Sequence, residues 1–311
     1  MPHNHRHSPT RHDRAFAIGV ALNVGFVLLE ASAGILAGSL ALMADAGHNL
    51  TDVLGLLLAW GATRLAGLPA TDRRTYGMRR ATILAALLNS LILLVAIGAI
   101  AWEAVRRLRQ PEPVSGQVVI AVALVGVLVN TATALLFRRG RKDDLNIAGA
   151  FIHMAADAAV SGGVALAGLG ILLTGWQWLD PAVSLVIVIV IAAGTWGLLR
   201  DSLDLALDAV PVGIDFKQVE AYLASLPSVV EVHDLHIWAM STTEVALTAH
   251  LVKPDPADDD AVIAQATREL HDRFGIEHVT IQWERDSEAY PCGDPCGNGH
   301  SPQRETNEGD G

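Results

Sequence analysis

Two stretches of the chain repeat one arrangement of groups able to hold a metal. The first is Ala44-Asp-Ala-Gly-His-Asn-Leu-Thr-Asp52, with His48 and Asp52; the second is His153-Met-Ala-Ala-Asp157, with His153 and Asp157. A spacing of four puts His and Asp on one face of a helix. Two such helices side by side offer two imidazoles and two carboxylates. That is a full tetrahedral shell of the kind Zn²⁺ accepts, with bonds of ~2.0–2.2 Å. Two neutral His and two ionised Asp around a divalent ion sum to zero, the least costly charge in a low dielectric. Without metal the same groups take up protons. Metal and protons then compete for one site, which is the physical basis of metal/proton exchange. For a single His-x3-Asp, a buried polar residue bonding across helices is an equally good account; two copies in two apolar segments favour the metal. Four protein ligands close the shell, whereas catalytic zinc keeps a position open, and no HExxH is present, so an enzyme is disfavoured.

The elements that must position these groups are apolar and long. Of 311 residues, 51% are hydrophobic and 18% charged, which excludes disorder for most of the chain. Two Cys make no disulfide framework. Six apolar stretches lie near Phe16–Ala37, Leu40–Leu65, Ile83–Val105, Val118–Phe137, Ile147–Leu173 and Ala182–Leu199. Each is close to the about 20 residues that a spanning helix needs. The polar, His-rich residues 1–14 and the absence of a small-residue cleavage pattern make the first stretch a retained helix rather than a signal peptide. Thirteen Lys/Arg fall in the loops and ends on one side of the predicted spans and three, Arg106, Arg107 and Arg109, on the other. This predicts a multi-pass membrane protein with both termini in the cytoplasm.

Charge divides the chain in two. Residues 1–200 carry 16 basic against 11 acidic groups, and residues 201–311 carry 6 against 22. The acidic second part repels nucleic acid and attracts cations. Its periodicities are those of a soluble domain: helices over Phe216–Leu226 and Asp259–Phe274, strands over Val229–Trp238, Glu244–Val252 and His278–Glu284. The order αββαβ predicts a small α+β domain. Strand alternation sets Asp234 and His236 on one face and His233 on the other, so that His233 and His236 would not share an ion.

The residues quoted so far, with Gly38-Ser-Leu-Ala-Leu-Met-Ala-Asp45, Tyr76-Gly, Ala85-Ala-Leu-Leu-Asn89, Asp180-Pro181, Val232-His-Asp-Leu-His-Ile-Trp238 and His278-Val-Thr-Ile-Gln-Trp-Glu284, resemble the cation diffusion facilitators, in particular the bacterial zinc/cadmium/cobalt exporter branch. The likeness runs from about residue 14 to 290. It implies a membrane α-helical protein of six transmembrane helices with a C-terminal cytosolic α+β ferredoxin-like domain, assembled as a homodimer in the lipid bilayer. The implied divisions are a His-rich tail (1–14), a transport domain (15–207), a cytosolic metal-binding and dimerisation domain (208–290) and a flexible tail (291–311). His48, Asp52, His153 and Asp157 fall on the family's transport site. The implied function is proton-coupled efflux of zinc, with cadmium or cobalt as further substrates. A membrane-anchored metal sensor that moves nothing is the alternative. The family commonly has His near Tyr76-Gly77, where this chain has Met78, Arg79 and Arg80.

The resemblance also singles out His233, His250 and Glu284 as candidate zinc ligands of the cytosolic domain. The pair Cys292 and Cys296 reads as metal-binding before disulfide in a reducing cytosol, or else as an unliganded pair in the tail. His3, His5, His7 and His12 are a further loose metal-gathering cluster. Asn23, Glu30 and Asn89 resemble polar family positions that shape a cavity or bond to ligands. Asp45, three residues before His48, is placed to orient it or to guide the ion. Packing across helices is an equally good account of these four.

Overall fold

The computed structural model describes residues 12–137 and 145–286, and the side chains of 24–135 and 151–286. Asn23, the N-terminal histidines, Arg138–Asp144, Cys292 and Cys296 lie outside the described side chains. The described chain divides into two compact units.

The first unit is helical: α1 (His12–Ala37), α2 (Leu40–Ala66), α3 (Ala81–Arg109), α4 (Gly116–Phe137), α5 (Leu145–Thr174) and α6 (Leu179–Ala206). The helices α3, α4, α5 and α6 are long and apolar enough to cross a membrane, and the described Val24–Ala37 of α1 is a shorter apolar helix. Helix α2 is interrupted by Asp45, His48, Asn49 and Asp52, which lowers its apolar character. Buried Leu42, Leu93, Ile97, Val119, Val164 and Ile187 form the centre of the bundle. Leu28, Leu36, Val95, Trp102, Leu128 and Ile189 remain exposed, as expected of a surface meeting acyl chains rather than water.

Two junctions fix helices in this unit. The chain reverses between α1 and α2 at Gly38, whose φ of 69° suits a residue without Cβ. Ser39 then caps α2, its hydroxyl accepting from Leu42 N at 3.2 Å. The fully buried Asp180 of α6 reaches the same helix end: it accepts from Leu40 N at 2.6 Å, from Ala41 N at 3.3 Å and from the Ser39 hydroxyl. A carboxylate at a helix N-terminus also complements the helix dipole. The second junction is the close packing of α4 on α5. A Cβ on Gly116 would sit 2.7 Å from the Gly168 carbonyl oxygen, and one on Gly168 would meet Val119 Cγ1 at 2.9 Å.

The dissenting basic cluster at the end of α3 is largely neutralised. Arg106 pairs with Glu103 at 2.6 Å and Glu112 at 2.7 Å, while Arg107 pairs with Glu103 at 2.9 Å and donates to the Gly38 carbonyl.

The second unit comprises residues 66–83 and the chain from residue 203. It contains α7 (Phe216–Ala224), β1 (Glu231–Ala239), β2 (Val245–Val252), α8 (Asp259–Phe274) and β3 (His278–Glu284). Asp215 caps α7 by accepting from Lys217 N and Gln218 N. The sheet order is β1-β2-β3, with β1 antiparallel and β3 parallel to β2. This is the ferredoxin-like pattern without its first strand, so the strands flanking α8 pair directly. Helix residues Val219, Leu223, Val262 and Leu270 pack on Leu235, Leu247 and Leu251 of the sheet. Within this unit the segment 66–83 is bound by Arg79 to Glu244 at 2.7 Å and by Arg80 to Asp208 at 2.5 Å.

Candidate metal centre

The two His-x3-Asp pairs meet. His48 and Asp52 come from the middle of α2, and His153 and Asp157 from the first half of α5. One donor atom from each of the four lies within 4.8 Å of the other three. His153 Nε2 is 3.2 Å from Asp52 Oδ2 and 3.6 Å from Asp157 Oδ2; His48 Nε2 is 3.4 Å from Asp157 Oδ1 and 3.8 Å from Asp52 Oδ2. A tetrahedral zinc with bonds of ~2.0–2.1 Å has ligand–ligand edges of ~3.3–3.4 Å. The four measured separations bracket that value. The imidazoles stand edge to face at 5.9 Å between centroids, so neither ring blocks the space between the carboxylates.

Exposure is graded across the cluster. The side chain of Asp157 is 3% exposed and that of His48 20%, against 37% for Asp52 and 43% for His153. Asp157 Oδ2 and His48 Nδ1 are buried and have no hydrogen-bond partner among the described residues. The more exposed ligands are those nearer the C-terminal half of α2 and the start of α5.

The polar candidates around this cluster are held by residues that the sequence did not single out. Asp45 accepts from Ser161 Oγ at 2.9 Å, and Glu30 accepts from Asn49 Nδ2 at 3.1 Å. Ser161 follows Asp157 by one helical turn, which is the signal that would have found it. Asn89 of α3 packs on Gly55 of α2, where a Cβ would lie 3.0 Å from Asn89 Nδ2.

In the second unit His233, His250 and Glu284 form another cluster with donor atoms within 4.8 Å of one another. His233 faces His250 across β1 and β2, and Glu284 is two residues beyond Gln282, the β3 partner of His250. Glu284 is fully buried. His233 Nε2 is 2.9 Å from its Oε2, and His250 Nδ1 is 2.9 Å from its Oε1 without the alignment of a hydrogen bond. A buried carboxylate facing two imidazoles, one of them unaligned for a proton, fits a shared cation.

One expectation from strand alternation is corrected here. The register of β1 against β2 skips a residue between His233 and His236, and Asp234 adopts a φ of 49°. This bulge brings His233 and His236 to the same face as His250. His236 still lies outside the cluster: its Nε2 pairs with Asp234 Oδ1 at 2.9 Å, while Asp234 Oδ2 is 3.7 Å from His250 Nε2.

Known proteins resemble the chain over nearly its whole length. Residues 16–205 match the model of the cation efflux transmembrane domain, and residues 211–286 that of the cation efflux protein cytoplasmic domain. "Zinc transporter ZitB" of Escherichia coli (strain K12) is 36% identical over 316 residues, covering 99% of this chain and 97% of its own. The "Cadmium, cobalt and zinc/H(+)-K(+) antiporter" of Bacillus velezensis is 33% identical over 289 residues, covering 91% and 92%. Among solved structures, the "Metal-bound C-terminal domain of the CzcD transporter from Cuprividus metallidurans" is 38% identical, covers 23% of this chain and 99% of its own, and has a TM-score of 0.22.

Proposed function

The chain belongs to the cation efflux family of membrane metal transporters, and on that premise we propose that it exports zinc from the cytosol in exchange for protons, with cadmium and cobalt as further candidate substrates. The observation that carries this reading is the meeting of His48, Asp52, His153 and Asp157 at tetrahedral spacing. Two carboxylates balance the charge of one divalent ion, so the loaded site is neutral. The empty site is a pair of acids beside two bases, and it attracts protons. The name of the Bacillus velezensis relative couples metal movement to protons and potassium, which supports exchange rather than a uniport.

All six long helices cross the inner membrane in this reading, and both termini face the cytoplasm, in keeping with the excess of Lys and Arg on that side. In that orientation the C-terminal half of α2 and the start of α5 point inward. The partial exposure of Asp52 and His153 then gives the ion its route from the cytosol. Release outward needs the helices to shift so that access passes to the other side. Two copies pair through the cytosolic domains, in keeping with the match to the family's cytoplasmic domain. Zinc bound at His233, His250 and Glu284 regulates transport. The excess of acidic groups in this part raises the local concentration of cations.

The test is zinc uptake by the purified protein in liposomes loaded with a pH indicator. Zinc movement with opposite proton movement, abolished by Asp52→Ala, is expected. Tight zinc binding with no flux in either direction would reduce the protein to a membrane-anchored metal-binding protein.

A further inference from the structure

Glu30 of α1 and Asp45 of α2 are both fully buried, and neither belongs to the four-donor cluster. Each carboxyl has one oxygen held from outside: Asn49 Nδ2 donates to Glu30 Oε2, and Ser161 Oγ donates to Asp45 Oδ2. The remaining oxygens, Glu30 Oε1 and Asp45 Oδ1, are buried and receive no N–H or O–H from the described residues. Asn49, the donor to Glu30, follows Asp45 by four residues, so Glu30 lies against the face of α2 that carries Asp45. An ionised carboxylate buried with one oxygen unpaired is costly, whereas the carboxylic acid is neutral. Two fully buried carboxyls beside one helix face do not both ionise.

The placement of the pair matters. Asp45 precedes His48 by three residues, about 4.5 Å along the helix, and its partner Ser161 follows Asp157 by four. The pair thus flanks the metal cluster on the side of the α1–α2 turn. Along these helices the nearest ionisable groups are His48, three residues from Asp45, and Asp157, four residues from Ser161. Helix α4, packed on α1, has no charged residue from Gly116 to Phe137.

We propose that Glu30 and Asp45 form a proton site separate from the metal ligands. The pair holds two protons when the metal site is empty and one when zinc is bound. A divalent ion one helical turn away raises the cost of the second proton, which leaves to water. When zinc departs, the pair takes one proton back from water. The effect is reciprocal: the second proton weakens zinc binding by the same factor by which zinc weakens the proton. In the orientation proposed above, the pair lies between the metal and the outer face. The proposal rests on the exchange reading.

Calorimetric zinc titration of the full-length protein in detergent, in buffers of different ionisation heat, counts the protons released per zinc. The isosteric Glu30→Gln and Asp45→Asn variants are each expected to bind zinc at the four-donor site with about one proton fewer released per zinc than the unaltered protein. In liposomes the same variants should lose most of the acceleration of zinc flux by an opposing proton gradient. An unchanged proton count and unchanged gradient response in both variants would overturn the proposal. Loss of zinc binding in both would also overturn it, because the pair would then be a support for the ligands. If the unaltered protein itself releases no protons with zinc, the exchange reading fails instead.

Discussion

The graded exposure of the four ligands predicts that the two carboxylates are unequal. In Asp157→Asn the shape is kept and one negative charge is lost where the side chain is 3% exposed. The zinc-loaded site then carries a net positive charge, uncompensated at the one ligand position that is shielded from water. Removing one partner from a buried charge pair costs about 3–5 kcal/mol, or roughly 10²–10⁴-fold in Kd. Asp52 is 37% exposed, so water can occupy its coordination position in Asp52→Asn. The loss there is that of a charged hydrogen-bonding partner, about 1.5–3 kcal/mol, or roughly 10–150-fold. The assay is competition of the detergent-solubilised protein against a zinc dye of known affinity. A second measure is the zinc-induced rise in unfolding stability. At a zinc concentration about 100 times Kd that rise is ~2.7 kcal/mol; it falls to ~0.4 kcal/mol when Kd rises a hundredfold. The zinc held by the cytosolic cluster persists in both variants and serves as an internal control. If Asp52→Asn weakens binding as much as Asp157→Asn, burial is not what sets ligand strength here, and the reasoning is wrong.

Further outcomes follow from the rest of the structure. Glu284→Gln removes the buried carboxylate shared by His233 and His250, so zinc stoichiometry should fall by one equivalent while the four-donor site still fills; equilibrium dialysis reads this directly. Asp180→Ala leaves Leu40 N, Ala41 N and the Ser39 hydroxyl without their acceptor, and thermal unfolding should show a loss of about 2 kcal/mol. Asp259 is held below the usual carboxylate range, first by Arg285 and then by Lys253. A depressed folded value means that its stabilising contribution is complete above the ordinary Asp value of about 3.9 and is lost as pH falls through the lower one. Hydrogen exchange in the second unit should therefore not change with pH through this residue at pH 5–7, yet should speed up in Asp259→Asn, which deprives the buried Lys253 of its 2.9 Å partner.

The metal cluster was legible because its signal is local. His48 with Asp52 and His153 with Asp157 share a helical face by spacing alone, and charged groups in apolar helices demand partners. The helices and strands followed from periodicity to within about four residues, except that α6 runs seven residues past the expected Leu199, to Ala206. What stayed hidden depends on which helix lies beside which. Ser161 and Asn49 read as ordinary polar residues until α5 sets Ser161 against Asp45 of α2 and α1 brings Glu30 to Asn49. Asp180 gains its role only when the start of α6 meets the start of α2. The β1 bulge was invisible because alternation assumes an unbroken ladder, and nothing in Val232-His-Asp-Leu-His236 marks Asp234 as the residue that leaves it.

The Asp180 clasp has a mechanical corollary. It ties α2 to α6 through a carboxylate gripping three donors, while the glycines at 116 and 168 let α4 and α5 interlock. Two of the four candidate ligands ride on the first block and two on the second. A rearrangement that preserved both fastenings would slide one block along the other, and an ion held by all four would lie in the seam where that slip changes the coordination.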